Sequence, residues 1–230
     1  MESFPRLYAI IDRATLDARN VSVTEFANEL RDAGVRLVQY RDKVGGPQEV
    51  LRAAAEIAAV FEGSGATLIL NDRADLAVLA AFDGVHVGQG DLSPADAKAV
   101  LRRNSRFPSG MTTRKTTAPS SGSDMAVIGV STHCDDQVIG ADAGAADYIA
   151  VGPIFATATK LNAEPVVGLE GVRRARALTR KPMVGIGGMT LENARGVIDA
   201  GADSVAVIGG LFVPGRNVRE VAEDFLEILR

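Results

Sequence analysis

Short apolar runs alternate along this chain with stretches of helical period. The runs Leu7–Asp12, Leu37–Arg41, Thr67–Asn71, Gly84–Val87, Val127–Ser131, Tyr148–Gly152, Met183–Ile186 and Ser204–Ile208 are short, and most are apolar on both faces. Strands in a parallel sheet covered by helices have that pattern. Between them, apolar residues recur near every 3.6 positions over Val23–Ala33, Pro47–Phe61, Ala95–Leu101, Gly168–Leu178, Leu191–Ala200 and Val218–Leu229, which predicts amphipathic helices. Ser93-Pro94 reads as an N-cap followed by proline at N1, and Thr190 as the cap of a helix starting at Leu191, with Asn193 at N3. Eight strands, each followed by a helix or a short substitute, predict an α/β fold of the (β/α)8 TIM-barrel type, a single domain over residues 1–230. An open doubly wound sheet competes, but no strand is followed by GxGxxG opening a helix.

One stretch breaks the rhythm. Residues 103–125, RNSRFPSGMTTRKTTAPSSGSDM, are rich in Ser, Thr, Pro and Gly and carry neither period. They follow the fourth barrel helix and precede the fifth strand, so they read as a mobile insertion at the amino-terminal end of a barrel, away from its chemistry.

Composition narrows the function. The chain is 47% hydrophobic and 23% charged with a net charge of −4, ordinary for a globular domain and too acidic for a general nucleic-acid surface. A single cysteine, Cys134, excludes an intrachain disulfide and a cysteine-based metal site. The start MESFPRLYAIID lacks the form of a signal peptide, and no apolar run approaches the ~18 residues that span a bilayer. These features predict a cytoplasmic protein with no membrane or nucleic-acid partner, and they leave a homo-oligomer open.

The chemistry gathers at the strands' carboxyl ends, where a barrel places its active site. Alternation sends Gln39, Arg41 and Lys43 to one side. The third strand ends in Asn71 and Asp72, the fourth leads through His86 to Asp91, and the fifth ends at Ser131. The sixth runs into GPIFATATK, with Thr157, Thr159 and Lys160. Asp72 and Asp91 each have a local use as a turn or helix cap. Placed together across from Arg41, Lys43 and Lys160, they suit a Mg²⁺–pyrophosphate: carboxylates take the metal and cations hold the other oxygens. The glycines after the seventh and eighth strands (Gly187, Gly188, Gly209, Gly210) suit the barrel phosphate site, built from bare backbone N–H groups. Two anion sites in one mouth imply a condensation of two phosphorylated substrates.

The pieces YAIID, QYRDK, LNDRADLA, GVHVGQGDL, IGVSTH, ADYIAVGPIFATATK, VGLEG, GIGG and ADSVAV occur in this order, and together they resemble the thiamine-phosphate synthase family. The resemblance implies a transferase of thiamine biosynthesis that joins hydroxymethylpyrimidine diphosphate to thiazole phosphate with Mg²⁺, releasing pyrophosphate. It implies that Gln39 contacts the pyrimidine and that Arg41, Lys43, Asn71 and Lys160 hold the diphosphate. Asp72 and Asp91 would bind the metal, and Ser131 would sit near the pyrimidine and the leaving group. Thr157 and Thr159 would line the thiazole-phosphate site, and the backbone N–H groups of Gly188, Ile208 and Gly209 would bind that phosphate. Arg41, Ser131 and Lys160 would carry the catalysis. Gly209 departs from the family, which commonly has serine there. The alternatives are a thiazole tautomerase of the same fold and a non-catalytic thiamine-phosphate-binding protein; neither needs the full carboxylate and cation set.

Overall fold

The computed structural model describes residues 4–104, 126–157 and 165–230. Among them, strands β1 (Leu7–Asp12), β2 (Leu37–Arg41), β3 (Thr67–Asn71), β4 (Gly84–Val87), β5 (Val127–Thr132), β6 (Tyr148–Val151), β7 (Met183–Ile186) and β8 (Ser204–Val207) close into a parallel barrel in chain order. β8 pairs with β1 through Leu7↔Val205, Tyr8↔Ala206 and Ala9↔Val207. Closure excludes the open sheet. The predicted strands all form, with ends that differ by one residue at β5, β6 and β8.

The helices are α1 (Arg13–Asp17), α2 (Val23–Asp32), α3 (Pro47–Val60), α4 (Ala74–Leu79), α5 (Pro94–Asn104), α6 (Asp135–Ala143), α7 (Gly168–Leu178), α8 (Ala194–Asp199) and α9 (Val218–Ile228). Three of them escaped the periodicity. α1 and α4 have five and six residues, too few to repeat a 3.6 period, and α6 buries only Val138 and Ala141. Ser93 caps α5 as predicted, accepting from the Asp96 N–H at 3.1 Å. Thr190 does not cap α8. Asn193 takes that place, accepting from the Thr190 N–H at 2.9 Å and donating to the Gly188 carbonyl at 2.9 Å, so the residue that ties down the preceding loop also delays the helix to Ala194. α5 continues to Asn104, so the first two residues of the expected insertion are helical; residues 105–125 lie outside the described residues. Among the described residues no helix is long and apolar enough to cross a membrane.

Side-chain alternation builds two cores. Outward residues such as Ala9, Ile11, Val38, Leu70, Val85 and Val205 pack against the helices. Inward residues Tyr8, Ile10, Leu37, Ile69, Tyr148, Ala150, Val184 and Ala206 fill the barrel. The filling is partly polar. The Gln39 side-chain nitrogen lies 2.7 Å from the Tyr8 hydroxyl, which lies 2.8 Å from the Tyr148 hydroxyl. Tyr148 lies 2.9 Å from His86 Nδ1, and His86 Nε2 lies 2.9 Å from Ser131 Oγ. Buried polar groups are tolerable when each has a partner, as in this chain of contacts. Burial raises both tyrosines above their ordinary range; their mutual hydrogen bond and the one from Gln39 offset part of this for Tyr8. Burial also lowers His86 to about 4, against a smaller opposing pull from Asp91, so the ring is neutral near pH 7.

Gly129 makes room for this packing. A methyl group there would overlap the Tyr148 ring and stand 2.5 Å from His86 Nδ1. Gly129→Ala should therefore cost ~1–3 kcal/mol or more by overpacking, read as a lower midpoint in thermal or denaturant unfolding. An unchanged midpoint would show that the interior yields. The histidine sets a pH dependence with a definite sign. Its folded pKa lies below its ordinary 6.5, so the stability of the neutral buried ring is complete above about 6.5 and is lost as pH falls toward 4. Between pH 7 and 4.5 that component should amount to roughly 2–3 kcal/mol. Urea unfolding at the two pH values should show it in the parent and a smaller difference in His86→Gln. Equal differences would assign the acid sensitivity to other groups.

Candidate active site

At the carboxyl end of the barrel a cavity of about 920 Å³ opens. Gln39, Arg41, Lys43, Asn71, Asp72, Asp91, Ser131, Thr157, Gly188, Ile208 and Gly209 all line it. Residues far apart in sequence therefore meet in one mouth, as strand alternation predicts. Thr159 and Lys160 lie outside the described residues.

One wall is charged. Arg41 Nη1 lies 2.6 Å from the carboxylate of Asp12, the last residue of β1 and only 2% exposed. Asp12 also caps α1, accepting from Thr15 N–H at 3.2 Å and Thr15 Oγ at 2.9 Å. The guanidinium is thus held at the mouth by a carboxylate that is itself fixed. Lys43 stands in the loop after β2, which Asp42 turns by accepting from the N–H groups of Val44 and Gly45 at 3.0 and 2.7 Å. Its ammonium is bonded to Asp72.

Asp72 has left-handed backbone, φ 60°, a conformation that aspartate tolerates better than most residues. Its N–H donates to the His86 carbonyl at 2.7 Å. Burial holds the Asp72 carboxyl above its ordinary pKa; Lys43 opposes this and neighbouring Asp91 adds to it. Asp91 accepts from the Gly88 N–H at 2.8 Å and so closes the turn after β4; the helix cap beyond it belongs to Ser93. The side-chain nitrogen of Asn71 is buried without a hydrogen-bond partner. An amide donor in that state costs free energy unless a ligand accepts from it. Among the described residues no cluster of three or more His, Cys, Asp or Glu could hold a metal alone.

The opposite wall is backbone. Gly187 and Gly188 both have positive φ, 102° and 66°. A Cβ on Gly187 would press on Pro153 at 2.7 Å, and one on Gly188 would press on Phe155 Cβ at 2.7 Å. Only glycine lets the β7 loop pack on the β6 loop while its main chain faces the cavity. Gly209 opens a short 3-10 turn, Gly209–Leu211, directly after β8. Between the walls, Gln89 donates to the Ser131 carbonyl at 2.6 Å and His133 Nδ1 to the Gly152 carbonyl at 2.6 Å.

The sequence assigns no role to Asp12, Tyr8, Tyr148 or Gln89. Asp12 left one signal, an acid ending an otherwise apolar strand. The tyrosines left none, because a tyrosine in a strand reads as core. His86 is buried and also lines the cavity.

Residues 7–211 match the family model described as Thiamine monophosphate synthase. The chain is 48% identical over 227 residues to Thiamine-phosphate synthase of Koribacter versatilis, covering 98% of this chain and 96% of that protein. It is 38% identical over 205 residues to Thiamine-phosphate synthase of Methanoregula boonei, covering 89% and 84%. Among solved structures, it is similar to Thiamine phosphate pyrophosphorylase from Pyrococcus furiosus, with a TM-score of 0.77 at 27% identity over 97% of this chain and 95% of that one. The cavity, the barrel that holds it and these relatives agree: the chain belongs to the thiamine-phosphate synthase family.

Proposed function

We propose that this chain catalyses the condensation of 4-amino-5-hydroxymethyl-2-methylpyrimidine diphosphate with thiazole phosphate, giving thiamine phosphate and pyrophosphate. One observation carries the reading beyond family membership. A buried orphan amide donor, Asn71 Nδ2, lines the same cavity as Arg41, Lys43 and two carboxylates. That set suits an oxygen-rich polyanion accompanied by a cation. A tautomerase breaks no diphosphate and gives the carboxylates no task.

In the reaction, the bond between the exocyclic methylene carbon and the diphosphate oxygen breaks, and its electron pair leaves with pyrophosphate. The lone pair of the thiazole nitrogen then forms the new bond to that carbon. Charge accumulates on the leaving group, so the protein's task is to receive it and to hold two substrates in line. Arg41, steadied by Asp12, together with Lys43, Asn71 and Lys160 of the GPIFATATK segment, would bind the diphosphate. Arg41, Lys160 and Ser131 would act on the charge that develops as it departs. Gln39 and Ser131 would hold the pyrimidine. The main chain at Gly188, Ile208 and Gly209, with Thr157 and Thr159, would seat the thiazole phosphate.

The carboxylates fit Mg²⁺. Mg²⁺ is commonly held by one or two carboxylates plus substrate phosphates rather than by an all-protein cage. Asp72 and Asp91, two acids drawn together in a site that raises the Asp72 pKa, are such a pair. When bound, the ion neutralises diphosphate oxygens. Asp72 already accepts one cation, the Lys43 ammonium.

The functional test is pyrophosphate release from the two purified substrates, with and without Mg²⁺. Asp72→Asn and Asp91→Asn keep the local turns, because asparagine also tolerates left-handed backbone and can accept from Gly88. Each should lower kcat/KM by roughly 10²-fold or more with an unchanged circular dichroism spectrum. Full activity in both variants at limiting Mg²⁺ would overturn the metal assignment. A second prediction concerns Gly209, where a Cβ would meet nothing within 4 Å. Gly209→Ser should leave the unfolding midpoint unchanged and lower KM for thiazole phosphate several-fold, because one hydroxyl is added beside an anion. A raised KM would place the phosphate elsewhere.

A further inference from the structure

Four contacts join Gln39 to Ser131 through Tyr8, Tyr148 and His86, each 2.7–2.9 Å long. Contacts of that length between oxygens and nitrogens each hold one proton. A hydroxyl has one proton to give, and a neutral imidazole has one N–H and one lone pair. Two protons in one contact would clash, and an empty contact would set lone pairs against each other. The chain therefore has two complete states. In one, Gln39 donates to Tyr8, Tyr8 to Tyr148, Tyr148 to His86 Nδ1, and His86 Nε2–H to Ser131 Oγ. In the other, a half-turn flip of the Gln39 amide lets its carbonyl accept from Tyr8, and every later bond reverses. Any intermediate arrangement leaves a buried defect, which is costly where Tyr8, Tyr148, Gln39 and His86 are all buried.

Both ends line the cavity, so the direction of the chain reaches a ligand. In the first state, the structure's own assignment for Gln39, the amide oxygen remains to accept from a ligand and the Ser131 O–H remains to donate. In the second, Gln39 offers N–H and Ser131 offers only lone pairs. We infer that Tyr8, Tyr148 and His86 are positioning residues that lock the roles of Gln39 and Ser131 together and thereby select a 4-aminopyrimidine diphosphate over its 4-oxo analogue. This inference rests on the proposed reaction, with Gln39 at the pyrimidine and Ser131 at the leaving group. A 4-amino group donates to the Gln39 carbonyl, and Ser131 then donates to the anionic leaving group. A 4-oxo group needs the Gln39 N–H, and the reversed chain then turns a Ser131 lone pair toward the diphosphate. Without the connection, Gln39 could flip alone and the discrimination would weaken.

The relay can be read without turnover. The chain has two histidines, His86 and His133, so ¹⁵N-histidine labelling gives two ring systems, and His133→Gln identifies which is which. In the ligand-free parent His86 should be the Nε2–H tautomer. Gln39→Glu, at a pH where the new carboxylate is ionised, can only accept from Tyr8, so His86 should change to the Nδ1–H tautomer. Adding Tyr8→Phe keeps the charge but cuts the chain, and the Nε2–H form should return. A tautomer indifferent to Gln39→Glu, or a change that survives Tyr8→Phe, would overturn the relay.

The kinetic arm uses Tyr148→Phe and does not depend on Gln39→Glu folding. The ratio of kcat/KM for the 4-amino and 4-oxo diphosphates should fall roughly tenfold in Tyr148→Phe. It should not fall further when that change is added to Ser131→Ala, because the tyrosine acts through the serine. Additive losses, or an unchanged ratio, would reduce the tyrosines to packing. If the parent releases no pyrophosphate from either substrate pair, the functional reading fails, while the tautomer experiment still decides whether the relay exists.

Discussion

The pairing of β8 with β1 is the constraint on which the rest of this molecule depends. Until Val205 meets Leu7 and Ala206 meets Tyr8, the sheet has two edges and its inward residues have no interior. Once closed, every second residue is committed to a narrow space. Tyr8 and Tyr148 then approach each other across the barrel from positions 140 residues apart, and the strand ends come round to a single mouth. Closure thus supplies both the packing that holds the barrel and the concavity that holds a ligand.

The interior shows how packing and chemistry share residues. An aliphatic filling would be simpler to stabilise, since each buried hydroxyl, amide or ring nitrogen must find a partner or carry its desolvation cost. This barrel instead accepts a run of polar groups and satisfies them with one another, from Gln39 at one side of the mouth to Ser131 at the other. Gly129 is the concession that makes it possible: the place where a side chain would stand is taken by Tyr148 and His86. The same burial that makes the network rigid keeps its histidine neutral, so it has one donor and one acceptor rather than two donors.

The mouth combines two ways of holding anions. On one wall, charged side chains are themselves restrained: Asp12 fixes Arg41, Asp72 takes Lys43, and Asp91 is tied to the turn at Gly88. On the other, glycines bring bare main chain to the cavity. The first suits a diphosphate with its counter-cation and the second a monophosphate. Such a division of labour fits a reaction whose main demand is to receive a departing anion while a second substrate is held still.

Much of this was legible in the chain itself. The alternation of apolar runs with helical periods is a local signal, so the strands and the longer helices could be placed, and from them the barrel. Polar residues ending buried strands marked Arg41, Asn71, Asp72 and Ser131 for the mouth, and glycines after the last strands marked the backbone site. What local pattern does not carry is which distant side chains touch. α1, α4 and α6 are too short or too sparsely buried for a period to show, and Asn193 displaced Thr190 as a cap because its second bond, to Gly188, lies in a loop. Asp12 looked like the end of a strand until the β1–β2 register set it beside Arg41. Nothing in the local sequence joins Tyr8, Tyr148 and His86. Their connection exists only in the closed barrel, because hydrogen-bond geometry over less than 3 Å is decided by strand register and sheet curvature, and those are properties of the whole sheet rather than of any segment.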